Sequence, residues 1–206
     1  MTLTYTLIHH QTKGGKLKVK DLKNLLEGSY TPKDKIGDFE LDKSLSTKTS
    51  KVFYNPKTGQ AVVAHRGTSG LTDWFNNLVY GLGGKPLYKL TPRYKEAKRV
   101  QDKAMEKYGA DKISTIGHSQ GGLQAELLGS PTHETITLNK ATRPFSNTKA
   151  INQYDVRTQN DIVSALNPLE KYSERDLVIP SKGRDILEEH SIEALNRLNQ
   201  EMEIGK

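Results

Sequence analysis

The sequence predicts an α/β fold in which helices flank a mostly parallel sheet. Three observations carry that reading. From residue 93 onward, helical and strand patterns alternate with short links, the order that winds parallel strands through crossover helices. Ahead of them lie two β-rich runs around Asn55-Pro-Lys-Thr-Gly59, the signature of an antiparallel hairpin. A Gly-x-Ser-x-Gly turn, residues 117–121, stands between a predicted strand and a predicted helix. A length of 206 residues fits one domain. No linker interrupts it, so residues 1–206 are read as a single domain, with 1–50 as a basic segment packed on it.

Taken in order, residues 20–27 should form a short helix. Val19, Leu22, Leu25 and Leu26 share one face there, and Gly28 follows as a stop. Residues 51–54 and 60–65 are the hairpin strands. Residues 71–79 carry a short amphipathic helical pattern before the loose Gly81-Leu-Gly-Gly84. The strongest helix covers residues 93–108, with Tyr94, Ala97, Val100, Ala104, Met105 and Tyr108 on one side. A strand over 112–116 leads into the glycine-serine turn and a helix over 121–128. Strands follow at 135–138, 151–156 and 177–179. A last helix is expected over 191–202, with Ile192, Leu195, Leu198 and Met202 inward.

Composition narrows the function classes. Apolar residues make up 34% of the chain, so the core must be thin. The chain has no cysteine, which excludes disulfide scaffolds, zinc–thiolate sites, iron–sulfur clusters and cysteine nucleophiles together. No cofactor and no metal are expected. Apolar runs are short, so no transmembrane helix is expected, and the first residues lack the basic and apolar regions of a signal peptide. The expectation is therefore a cytoplasmic or otherwise intracellular protein. The net charge of +7 raises nucleic acid or an anionic membrane surface as partners. No recognition helix, aromatic stacking pattern or zinc module accompanies the charge, so nucleic acid is not expected.

The turn Gly117-His118-Ser119-Gln120-Gly121-Gly122 has the form of a nucleophile elbow, which refines the fold expectation to the α/β-hydrolase type. Bulk on either side of Ser119 would clash in so tight a turn, and the helix after it aims N–H groups at an anion forming beside the serine. A serine hydroxyl needs a base, and the base an orienting acid. In this fold type the acid and then the histidine follow the serine. Only His133 and His190 lie beyond the elbow. His133 comes directly after the elbow helix, leaving no room for a strand and acid loop, so His190 is the candidate base. Asp161 suits the acid because it follows a predicted strand and a polar loop; Asp155 and Asp176 remain alternatives.

Several motifs in one order point further. His65-Arg-Gly-Thr68, Asp73-Trp74, GHSQGG, Asn160-Asp-Ile-Val163, Pro168 and His190 together resemble the class 3, fungal-type lipase family over roughly residues 52–195. The resemblance implies a serine hydrolase acting on lipid esters, with Ser119, Asp161 and His190 as nucleophile, acid and base. A lipid or other ester is then the substrate, and an anionic membrane surface is a candidate partner. Thr68, through its N–H and hydroxyl, and the N–H of Gln120 would supply the oxyanion hole, while Arg66 and Gly67 shape the turn. By the same resemblance residues 71–88 are a short lid, with Trp74, Phe75 and Leu78 facing substrate; a permanently packed helix is the other reading. Three departures stand out: His65 at a usually apolar position, Gln120 where leucine is common, and Ser164 in place of proline. Short-chain esterase activity, or a basic binder of anionic surfaces without turnover, are the competing functions.

Overall fold

The computed structural model describes residues 16–68, 89, 91–141, 152–161, 163, 175–183 and 185–205. The proposed lid, with Trp74, Phe75 and Leu78, lies outside the described residues. Eight strands form one sheet in chain order: β1 (Lys35–Ile36), β2 (Phe39–Leu41), β3 (Ser50–Tyr54), β4 (Ala61–His65), β5 (Ile113–His118), β6 (Thr135–Leu138), β7 (Gln153–Thr158) and β8 (Asp176–Ile179). The strands from β1 to β4 pair antiparallel and those from β4 to β8 pair parallel.

The hairpin is closed by its turn chemistry. Asn55 Oδ1 accepts from the N–H groups of Lys57 and Thr58, and Gly59 takes a left-handed φ of 75° that a side chain would strain. Tyr54 then faces Ala61 in register. Every residue of β4 is buried, as expected of a strand covered on both faces. Val62 and Ala64 join the core under helix α1 (Val19–Tyr30), while Ala61 and Val63 join Val100 and Ala104 of helix α2 (Pro92–Tyr108). Helix α2 is set by Thr91, whose side chain accepts from Tyr94 N–H, and by Pro92 in its first turn. Helix α3 (Gln120–Leu128) touches α2. With strands in sequential order, right-handed crossovers place both helices on the same face. Helix α1 and the 3-10 turn Ile192–Arg197 cover the other.

Three expectations need correction. Helix α1 continues through Gly28 to Tyr30. Gly28 does not stop it, because it is a contact point where a Cβ would collide with Ile36 Cδ1. Two short strands, β1 and β2, turn about Gly37 at φ 59°, too brief to leave a pattern. The expected helix over 191–202 is instead a short helix α4 (Ile186–His190), then extended Ser191, then the 3-10 turn. The chain beyond is captured by the N-terminal segment: Val19 N–H donates to Met202 O at 2.9 Å, and Ile204 N–H to Leu17 O at 3.0 Å. Those bonds compete with helical ones for the same groups.

His65, the polar residue at an expected apolar position, is fully buried and satisfied. Ser50 Oγ bonds its Nδ1 at 2.8 Å, and Gln101 Oε1 faces its Nε2 at 3.3 Å. Burial holds its pKa down at about 4, so it packs as a neutral ring.

Candidate active site

Strand β5 ends at His118 and helix α3 begins at Gln120, with Ser119 between them. Ser119 has φ 58° and ψ −126°, a conformation that costs a non-glycine residue energy and persists because its surroundings fix it. Its N–H donates to Leu138 O at 3.0 Å, and its carbonyl accepts from Gly122 and Ala141 N–H at 2.9 Å each. The flanking glycines are there for space. A Cβ on Gly117 would overlap the Gly121 carbonyl, and one on Gly121 would overlap the His65 carbonyl. The first N–H groups of α3, Gln120 among them, have no carbonyl partner within the helix.

Asp161 lies three residues past β7, and His190 is the last residue of α4. Their side chains are fully buried, and His190 Nδ1 donates to Asp161 Oδ1 at 2.5 Å. In the neutral ring that bond makes Nε2 the acceptor nitrogen; it is buried and has no hydrogen-bond partner among the described residues, Ser119 included. The surroundings hold both groups in place. Asn139 Nδ2 donates to the Glu189 carbonyl at 2.9 Å, and its Oδ1 accepts from Thr158 N–H at 2.8 Å, joining the end of β7 to α4. Arg197 Nη1 donates to both oxygens of the Glu189 carboxylate, at 3.0 and 2.9 Å, a charge-assisted contact that anchors α4.

The alternatives for acid and base are occupied elsewhere. Asp155 is inside β7, accepting from Thr137 Oγ1 at 2.6 Å and pairing with buried Lys140 at 2.8 Å. Asp176 opens β8 and has Arg157 at 3.7 Å. His133 precedes β6, at the N-terminal end of the parallel strands, whereas Ser119 follows the C-terminal end of β5.

At the end of β4, Thr68 Oγ1 donates to Gln120 Oε1 at 2.7 Å. The hydroxyl proton is therefore committed, and of the two donors expected from Thr68 only its backbone N–H is left for an oxyanion. The side chain of Gln120, unusual on sequence grounds, is what receives that hydroxyl. Gly67 N–H donates to Tyr30 Oη at 2.7 Å, and Arg66 lies over the Tyr30 ring at 5.6 Å.

His118 is a functional neighbour that sequence reading left without a role. Its Nε2 donates to the His190 carbonyl at 2.7 Å, so its Nδ1 must accept, and it does so from Tyr30 Oη at 2.8 Å. The result is a directional chain: Gly67 N–H to Tyr30, Tyr30 to His118, His118 to the backbone of His190. Burial first, and then the neighbouring His190, hold the pKa of His118 down at about 3, so it stays neutral. A position beside the elbow serine was the only sequence signal for His118, and nothing marked Tyr30.

A cleft of about 820 Å³ adjoins the elbow, with Thr68 and His118 in its lining. Among the described residues, no group of three or more His, Asp or Glu side chains could hold a metal ion. No helix among them is long and apolar enough to cross a membrane.

Comparison with known proteins agrees with this architecture. A fungal lipase solved in complex with an inhibitor is 20% identical, over 73% of this chain and 73% of that one, with a TM-score of 0.51. A triacylglycerol lipase from Penicillium expansum is 17% identical over 79% and 77%, with a TM-score of 0.49. The Lip2 lipase from Yarrowia lipolytica is 17% identical with a TM-score of 0.43; the match covers 68% of this chain and 66% of that lipase. No curated protein sequence is a significant match. The sheet and its flanking helices have the lipase-type α/β-hydrolase fold. The model of the Tle-like phospholipase domain matches residues 16–165. The chain belongs to the Tle-like phospholipase domain family.

Proposed function

We propose that the protein is a serine hydrolase that cleaves carboxylic esters of lipids, glycerophospholipids in particular, through a Ser119–His190–Asp161 triad and an acyl-enzyme. The observation that carries the reading is the buried His190–Asp161 bond, whose imidazole lies 5.0 Å from the ring of His118, the residue before the elbow serine. Membership of a phospholipase family supports the substrate class.

In this mechanism Ser119 Oγ attacks the ester carbonyl as its proton passes to His190 Nε2. Asp161 fixes the ring through Nδ1–H and stabilises the imidazolium. The oxyanion of the tetrahedral intermediate accepts from the N–H groups of Thr68 and Gln120. Each such donor contributes about 3–4 kcal/mol to transition-state stabilisation. Collapse expels the alcohol, which takes the proton from Nε2 and leaves an acyl group on Ser119. Water then attacks the acyl carbonyl, giving its proton to His190, and collapse breaks the acyl–Oγ bond as that proton passes to Ser119 Oγ, freeing the fatty acid.

The test is turnover of monomeric dihexanoylphosphatidylcholine and p-nitrophenyl butyrate by the wild-type chain, Asp161→Asn and His190→Ala. The reading expects both esters to be hydrolysed and both variants to fall by about three to four orders of magnitude. Hydrolysis of p-nitrophenyl butyrate alone would favour a short-chain esterase. Variants as fast as wild type would overturn the triad.

A further inference from the structure

The cleft beside the elbow has a charge arrangement that ester hydrolysis does not itself require. Thr68 and His118 line it together with Lys33 and Lys35, which precede and open β1, and with Glu27 and Glu193. The two carboxylates share one cation, since Lys23 stands 2.5 Å from Glu27 and 3.6 Å from Glu193, which offsets one of their two charges. The aspartates nearest the lysine pair in sequence are also engaged. Lys43 holds Asp34 at 2.9 Å, and Lys57 holds Asp38 at 2.8 Å. The Asp38 carboxyl is pushed below its ordinary range chiefly by Lys57, with Lys35 a minor contributor. Lys33 and Lys35 are exposed and make no salt bridge among the described residues. With Lys23 counted, the cleft is left with one net positive charge, and Lys33 and Lys35, the two ammonium groups outside any ion pair among the described residues, stand in the same cleft as the candidate oxyanion donor Thr68.

A glycerophospholipid carries one permanent negative charge, its phosphodiester, only a few bonds from its acyl carbonyls. A lysine ammonium is a mobile point charge on a long stem, suited to following such a group without fixed geometry. A neutral glyceride offers nothing for it to meet. We infer that Lys33 and Lys35 form a subsite for the phosphodiester of a glycerophospholipid whose ester carbonyl lies at Ser119. The inference rests on Ser119 being the nucleophile, and it makes the pair a determinant of substrate choice.

The test compares the full chain with Lys33→Gln/Lys35→Gln on two soluble monomeric substrates, dihexanoylphosphatidylcholine and dihexanoylglycerol. The readout is the ratio of kcat/KM for the phospholipid over the glyceride. Two contacts of the strength of exposed ion pairs predict that this ratio falls about tenfold, mainly through KM on the phospholipid. The fall should shrink as salt rises. Lys103→Gln/Lys112→Gln removes the same charge at exposed positions outside the cleft and should keep the wild-type ratio. An active double variant with an unchanged ratio overturns the subsite. So does weaker binding to anionic vesicles with the monomer ratio intact, which would make the pair a membrane contact. If inorganic phosphate slows glyceride hydrolysis through these lysines while the ratio stays unchanged, the site takes a free anion and the inference also fails. Loss of hydrolysis of both substrates by the wild-type chain would instead refute the reading of Ser119.

Discussion

Replacing Tyr30 by phenylalanine removes one oxygen and keeps the ring, so it isolates what that oxygen joins. The hydroxyl accepts from Gly67 N–H at 2.7 Å and donates to His118 Nδ1 at 2.8 Å. Burial raises the pKa of the phenol, so it is protonated at neutral pH and able to donate. Gly67 and His118 are both buried, and in Tyr30→Phe each is left with a polar atom facing carbon. A stranded buried group costs about 1–3 kcal/mol, so the pair predicts a loss of about 2–6 kcal/mol. That is a large share of the ~5–15 kcal/mol that keeps a domain folded. Gly67 also precedes Thr68, so the loosened turn should misplace the proposed oxyanion donor. Complete loss of one donor costs roughly a hundredfold or more in kcat; a loosened one predicts about tenfold, with KM little changed. Urea unfolding gives the first quantity, and initial rates on p-nitrophenyl butyrate give the second. A variant with wild-type stability and a kcat within twofold would refute the bridging role.

Two further outcomes follow from buried groups near the elbow. The pKa of His65 is about 4 when folded, against 6.5 for the free side chain, so the unfolded chain takes up the proton first. The stability it contributes is complete above pH 6.5 and is lost as pH falls toward 4, about 3 kcal/mol in all. His118 adds to the same slope with a lower limit near 3. Urea unfolding at several pH values should show the decline, and His65→Asn should flatten it; an equal slope in that variant would contradict the assignment. Ser119→Gly should raise the unfolding free energy by about 1 kcal/mol, and the midpoint with it, while abolishing turnover, because glycine tolerates φ 58° without strain. A lowered midpoint would count against strain at the elbow.

What the sequence made legible was mostly local. The elbow, the hairpin turn and the capped α2 each encode their geometry within a few residues, and each stands where expected. Chain order was enough to prefer His190 over His133. The acid stayed open among three aspartates because the end of β7 could not be located: the expected strand stopped at 156, whereas it runs to Thr158. The missed features depend on distant partners. Tyr30 meets His118 from 88 positions away, and no pattern within α1 foretells that bond. The last helix failed for the same reason, since its backbone groups pair with residues at the other end of the chain. Gly28 read as a stop because the side chains it accommodates, Ile36 and Phe53, are brought there only by the fold.

The central claim is that Ser119 is the nucleophile of an ester hydrolase. Its most direct test is treatment of the native chain with a fluorophosphonate probe, followed by peptide mass mapping. The account predicts one adduct, on Ser119, absent from Ser119→Ala and formed far more slowly in His190→Ala. A wild-type chain that stays unlabelled, or a Ser119→Ala chain labelled as fast as wild type, would contradict it.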